Sequence, residues 1–289
     1  MTRAHEFRKL LADADIIRAP GVYDGITAKL VEQAGFPVVY MTGAGTSISR
    51  GYPDFGLLTQ TEMVDNAAVI ARTVNIPVIA DADTGYGNEL NVTRTVNEYE
   101  HAGVSAIHIE DQVSPKRCGH LDDKEIIPLD EYMAKIRAAA SARRDPDFVI
   151  IARTDARAVN GFDDAIERAN AALSCGADVA FVEAVRSMDE LQAVPKLVNG
   201  PCLLNIVVGG KTPDLDLGAA REMGYRIAIM PSLLITTVME SCDAVLANLK
   251  QSDRPPSSDG RMTVKERFDR FGAEYWNGLR TKFHETPKT

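Results

Sequence analysis

The sequence predicts a (β/α)8 barrel of the TIM type, and three observations carry that prediction. Eight short apolar runs, rich in β-branched residues, recur through the first 235 residues. Stretches of helical periodicity alternate with them. Each run also turns polar at its C-terminal end, and in a barrel those ends converge on one face. A doubly wound sheet shares the alternation but needs a topological switch point, which sequence cannot show. A length of 289 residues suits one barrel with additions. The 45% hydrophobic share supports a sizeable core, and 25% charged residues exclude general disorder.

Taken in order, the first strand is IIRAPG near residue 18, leading to Tyr23–Asp24, with ITAKLVEQAG as its helix. FPVVYMTG near 40 is the second and ends at Thr42–Gly43. TEMVDNAAVIARTV is the helix before IPVIADAD near 79, which ends in Asp81–Ala82–Asp83. NVTRTVNEYEHAG leads to VSAIHIED near 107 and its end, Glu110–Asp111. LDEYMAKIRAAASARR precedes FVIIARTD near 150, which ends in Arg153–Thr154–Asp155. FDDAIERANAALSCG precedes VAFVEA near 181, ending at Glu183. CLLNIV near 204 ends at Asn205, and YRIAIMP near 228 leads to Ser232. Gly35, Gly103, Gly176 and Gly224 stand where helices stop, since glycine takes the left-handed C-cap without a Cβ penalty.

Two domains are expected: a catalytic barrel over residues 1–235 and a helical arm over 236–289. TTVMESCDAVLANLK reads as a helix and QSDRPPSSDGR as a polar linker. VKERFDRFGAEYWNGLRTKF is amphipathic, with Phe268, Phe271, Tyr275 and Trp276 making an apolar helix face. A closed barrel has no place for it, so it is expected to pack on a neighbouring subunit.

A net charge of -9 gives no attraction to nucleic acid or to an anionic membrane. An anionic substrate would have to be drawn by local cations against that field. The four cysteines, Cys118, Cys175, Cys202 and Cys242, form no CxxC pair, which argues against a zinc knuckle or a thioredoxin-like site. Three of them, Cys175, Cys202 and Cys242, lie among apolar or small residues and read as core thiols in a reducing compartment. The N-terminal segment has no signal-peptide core and no apolar run is long enough to span a bilayer, so the expected location is the cytoplasm.

The strand ends hold the chemistry. Asp81 and Asp83 sit two apart, so both carboxylates can reach one space, and Glu110 ends the next strand. Such a cluster is costly without a neutralising cation, and a hard divalent ion, Mg²⁺ above all, fits oxygen ligands. Some of these acids can act through the waters that Mg²⁺ retains. Gly85 and Gly87 suit a mobile loop or a close ligand. Arg153 can clamp a carboxylate or phosphate, or it can pair structurally with Asp155. Glu183 and Asn205 can complete a polar pocket. TGAGTS, residues 42–47, can cradle an anionic oxygen with backbone N–H groups, but it lacks a dinucleotide fingerprint.

In PKRCGH, residues 115–120, Cys118 stands beside Lys116, Arg117 and His120. Too few soft ligands surround it for a metal site. Neighbouring cations lower a thiol pKa toward neutrality, which makes Cys118 a candidate acid/base. Gly119 gives the loop freedom to close over a substrate.

IHIEDQVSPKRCGH resembles the lyase signature of the isocitrate lyase and phosphoenolpyruvate mutase superfamily. ADADTGYGN, IIARTDA, FVEA, LLNI and GYPDFGLLT accompany it, and the resemblance covers about residues 16–235. It implies a Mg²⁺-dependent barrel, with Mn²⁺ as a substitute ion, and a homotetramer whose C-terminal helices are exchanged between subunits. By the same resemblance, Asp81, Asp83 and Glu110 are metal-site acids with Asp54 near them. Thr42, Gly43 and Ala44 hold a 2-oxo acid that Arg153 grips. Lys116, Cys118, Gly119 and His120 form a gating loop, and Tyr40 lies near the substrate hydroxyl. Glu183 and Asn205 match pocket residues. The implied reaction cleaves the C–C bond of a 2-hydroxy di- or tricarboxylate to a 2-oxo acid and an enolate-like carboxylate, which Cys118 protonates.

The pattern departs in places. TGAG stands where methylisocitrate lyases read SGGG and isocitrate lyases SGWQ. Val208 replaces a glutamate that many relatives carry, which weighs against a tricarboxylate. PDFGLLT and GGKTP lean toward the dimethylmalate lyase and petal-death-protein branch. A phosphonate-forming mutase, or an oxaloacetate hydrolase or decarboxylase, is the alternative. The thiol favours a lyase, because phosphoryl migration needs no carbon protonation.

Overall fold

In a computed structural model, which describes residues 2–13 and 15–284, eight parallel strands close into a barrel in the order β1-β2-β3-β4-β5-β6-β7-β8. They are β1 (Ile17–Val22), β2 (Val39–Met41), β3 (Val78–Asp81), β4 (Ala106–Glu110), β5 (Val149–Thr154), β6 (Val179–Val182), β7 (Cys202–Asn205) and β8 (Ile227–Met230). Every strand predicted from sequence is present. The helices are α1 (Arg3–Ala12), α2 (Gly25–Gln33), α3 (Gly43–Ser49), α4 (Gln60–Thr73), α5 (Glu89–His101), α6 (Leu129–Ala142) and α7 (Ala156–Val159). They continue with α8 (Phe162–Ser174), α9 (Met188–Leu197), α10 (Leu217–Met223), α11 (Leu233–Ser252), α12 (Val264–Asp269) and α13 (Ala273–His284).

The helices start where the sequence supplies caps. Asp24 and Thr27 form a capping box on α2, and Thr59 and Glu62 another on α4. Gly35, Gly103, Gly176 and Gly224 all take positive φ at the ends of helices, as expected. TGAGTS is not an open cradle. Thr42 accepts from the Gly45 N–H at 3.2 Å and caps α3, which begins at Gly43.

Strand parity sorts the core. Ile79, Ala106, Val149, Ile151, Val179, Phe181, Leu203, Ile227 and Ile229 fill the barrel, together with Phe7 of α1. The alternate residues, such as Ala80, Ile107, Ile109 and Ile150, pack outward with the helices. Each fully buried Val, Leu, Ile or Phe side chain stabilises by roughly 1.5–3 kcal/mol.

The chain forms two compact units, residues 1–236 and 237–289. The second consists of most of α11, the segment 253–263, α12 and α13. The amphipathic tail is not one continuous helix, because it breaks between α12 and α13 at Gly272, whose φ is 83°. Phe268, Tyr275, Trp276 and Phe283 are all exposed. Among the described residues no helix is long and apolar enough to cross a membrane.

Candidate active site

The inward parity that fills the barrel also delivers the polar residues. Two residues beyond an interior Ile79 comes Asp81, and beyond Ala106 come His108 and then Glu110. Ile151 is followed by Arg153, Phe181 by Glu183, and Leu203 by Asn205. Tyr40 and Thr42 share one parity on and after β2. All of these side chains are buried or nearly so.

The acids have defined partners. Asp81 accepts from the N–H of Gly43 at 3.1 Å and of Asp83 at 2.9 Å. A side chain at position 43 would run into the Asp81 carboxylate, so that backbone approach requires glycine. Asp83 faces Lys116 Nζ at 3.1 Å, and the same ammonium bonds Asp54 at 2.5 Å. Burial disfavours the Lys116 charge, but Asp83 and Asp54 outweigh it and hold the pKa well above its ordinary value. Burial likewise lifts Asp83 to about 6, against the pull of Lys116. Glu110 lies 3.1 Å from Arg153 Nη1, and burial raises its pKa well above the usual range. Asp111, one residue on, points the other way, to Thr154 at 2.6 Å and Arg168 at 3.2 Å.

Arg153 is held before any substrate arrives. Its Nε donates to Asp155 at 2.9 Å and its guanidinium lies 5.2 Å from the Phe181 ring centre. The structural pairing with Asp155 is therefore present, and a substrate contact would be additional to it. Glu183 pairs with His120 at 3.1 Å and accepts from Asn205 at 3.1 Å. Burial opposes its charge, yet Arg153 and His120 keep its pKa below the carboxylate range. The Lys211 N–H donates to His120 Nδ1 at 2.9 Å, which leaves the Nε2 proton for Glu183.

His108 is the residue the sequence reading missed. Its Nε2 lies 2.9 Å from the Tyr40 hydroxyl and 3.6 Å from Asp81, and the Tyr40 and His108 rings stack. Burial lowers its pKa to about 4, so it is neutral. The signal was a histidine at inward parity within AIHIE, two residues before Glu110.

Buried polar atoms without hydrogen-bond partners concentrate here. Among the described residues they include Asp83 Oδ1, both carboxylate oxygens of Glu110, His108 Nδ1 and Asn205 Oδ1. Two of the acids have ion-pair contacts to Lys116 and Arg153, without hydrogen-bond geometry. Glu110 Oε1, left bare in a buried site, suits a hard cation with retained waters. Among the described residues no three His, Cys, Asp or Glu side chains are placed to hold one ion directly. Asp83 and Ala184 take left-handed φ values of 46° and 54°, strain of about 1–3 kcal/mol each that is concentrated at functional sites.

The loop that carries PKRCGH is closed over these strand ends. Gln112 clasps it, donating to Arg117 O at 2.8 Å and accepting from Arg117 N–H at 2.9 Å. Val113 N–H donates to Glu125 O at 2.8 Å, which pins the base of the loop. Lys116, His120 and Lys124 reach down to Asp83, Glu183 and Asp155 in turn. The cations flanking Cys118 are thus spent on acids of the site, and Arg117 is half exposed over Phe55. The expected lowering of the thiol pKa is reversed: burial first, then Asp54, raise it, and they outweigh the lowering by the His120 backbone and Lys116. Two other thiol expectations also change, since Cys242 is exposed and Cys175 only half-buried, whereas Cys202 is buried. Val208 is 81% exposed, on the segment that follows β7. Ala44 lies on the first turn of α3, beside Gly43.

Residues 7–250 match the family model described as phosphoenolpyruvate phosphomutase. The chain belongs to that family. It is 44% identical over 276 residues to 2,3-dimethylmalate lyase of Eubacterium barkeri, covering 95% of this chain and 96% of the relative. Oxaloacetate acetylhydrolase in complex with 3,3-difluorooxalacetate superposes with a TM-score of 0.94 at 38% identity, over 99% of this chain and 98% of that one. Phosphonopyruvate hydrolase, in a complex with oxalate and Mg²⁺, has a TM-score of 0.89 at 32% identity, over 99% and 100% of the two chains. With such relatives the protein is an enzyme, of the carbon–carbon lyase kind.

Proposed function

We propose that the protein is a divalent-metal-dependent lyase that splits a 2-hydroxy di- or tricarboxylate, a substituted malate foremost, into a 2-oxo acid and a carboxylate. The observation that carries this reading is Cys118 on a lid closed over buried acids and Arg153. Arg153 binds the oxo-acid carboxylate, and the N-terminal turn of α3, with Thr42, Gly43 and Ala44, borders it. Asp81, Asp83 and Glu110, with Asp54 behind Lys116, would hold Mg²⁺ or Mn²⁺ partly through water. When bound, that ion supplies charge stabilisation for the oxo-acid oxygens. Tyr40, whose hydroxyl hydrogen-bonds His108 Nε2 and keeps its own proton because burial raises its pKa, would orient the substrate hydroxyl and relay its proton to that imidazole nitrogen.

Cys118 then protonates the carbon of the departing enolate-like carboxylate. A raised pKa suits this step, because the thiol keeps its proton at neutral pH until a stronger base forms beside it. Lys116 and His120 anchor the lid on Asp83 and Glu183, and water exclusion strengthens each polar contact. The exposed Phe268, Trp276 and Phe283 support a homotetramer with exchanged arms, and four free cysteines support a cytoplasmic location.

The test is product analysis with Mg²⁺ and with excess chelator: 2-oxo acid from substituted malates and methylisocitrate, oxalate or pyruvate from oxaloacetate, and pyruvate or phosphoenolpyruvate from phosphonopyruvate. Cleavage of a malate or isocitrate that stops in chelator is expected. Turnover of oxaloacetate or phosphonopyruvate alone would replace the lyase reading with the hydrolase or mutase one.

A further inference from the structure

We propose that Lys124 is the latch of the lid, a positioning residue that holds the closed loop by bridging Gly119 to Asp155. Its ammonium donates to the Gly119 carbonyl and lies 3.4 Å from Asp155 Oδ1. The Lys124 side chain is 1% exposed and that of Asp155 0%, so this is a buried contact within the closed state. A lysine is rarely buried unless paired. Gly119 lies five positions away on the same loop, so the contact that ties the loop to the barrel is the one to Asp155.

The geometry couples the latch to the site. Asp155 is the carboxylate that fixes Arg153, through Nε at 2.9 Å and Nη2 at 3.3 Å. Its own N–H donates to Asp111 at 2.9 Å, so the carboxylate is oriented from behind. Lys124 therefore closes on a group already shared with the substrate-binding arginine. Gly119, the other end of the bridge, lies between Cys118 and His120 at the part of the lid that meets Arg153 and Glu183. Holding that carbonyl sets where Cys118 stands. Lys124 itself touches none of the groups assigned to substrate.

The latch rests on the lyase reading only for what closure is for. Its test is hydrogen–deuterium exchange of segment 112–126, with and without oxalate, alongside steady-state kinetics. Lys124→Met removes the charge and keeps the length, and Lys124→Gln keeps one donor. In Lys124→Met the Val113 and Leu121 amides should exchange about ten- to hundredfold faster, the worth of one charge-assisted hydrogen bond, and kcat/KM should fall by a similar factor. The amides of β4 and β5 should keep their protection, and Lys124→Gln should fall between Lys124→Met and the parent. Unchanged lid exchange in both variants overturns the latch. Equal loosening of β4 and β5 overturns it too, since Lys124 would then be a general structural lysine. Absence of lyase turnover in the parent would sink the function reading and leave the exchange result standing.

Discussion

Replacing Gly119 by alanine isolates lid closure from folding. Gly119 is not among the residues at positive φ, so alanine brings no backbone strain. In the closed lid, however, a Cβ there would lie 2.5 Å from Arg153 Nη2 and 2.6 Å from Glu183 Cγ. Neither neighbour can yield cheaply. Arg153 is held by Asp155 and Glu110, and Glu183 by His120 and Asn205. Overpacking of one methyl group costs about 1–3 kcal/mol, and here the closed state alone bears it. At about 1.4 kcal/mol per factor of ten, the closed population falls roughly 5- to 150-fold. The expected result is a loss of kcat/KM in that range, read by 2-oxo acid release, with the melting temperature unchanged because the open loop relieves the clash. Parent-like kcat/KM would refute closure as a step in turnover. A large drop in melting temperature would show that the loop is shut throughout as part of the fold.

Three further outcomes are expected. Cys118→Ser should lower turnover by about 10²- to 10⁴-fold, the usual worth of a positioned acid, while oxalate still binds, and solvent-proton exchange at the product carbon should vanish with cleavage. Near-parent cleavage would remove the catalytic role of the thiol. Arg153→Lys keeps the charge but loses the fork shared with Asp155 and Glu110, so oxalate inhibition should weaken about tenfold or more; unchanged inhibition would make Arg153 purely structural. A chain ending at Gly260 should sediment as a smaller species and lose activity, whereas an intact, active oligomer would exclude the arm from assembly.

The primary sequence alone determined the barrel, because strand alternation and glycine caps are local. Eight runs such as IPVIADAD and FVIIARTD state their period and their polar ends without reference to any other part of the chain. The same period placed Asp81, Glu110, Arg153, Glu183 and Asn205 at one mouth, since each stands at the C-terminal end of its strand. His108 was legible in principle by that parity, but a single histidine between isoleucines reads first as core.

Only the tertiary structure decided what the charges do. Lys116, Arg117 and His120 adjoin Cys118 in sequence, and sequence proximity suggested that they act on the thiol. In space Lys116 also serves Asp54 and Asp83, and the His120 ring serves Glu183, so at Cys118 burial and Asp54 outweigh the lowering by the His120 backbone and Lys116, and the pKa is raised. Lys124 joins Asp155 across 31 positions by the same folding of the loop. Charge–charge energy depends on distance and burial, and both are properties of the folded chain, whereas periodicity is a property of the sequence itself.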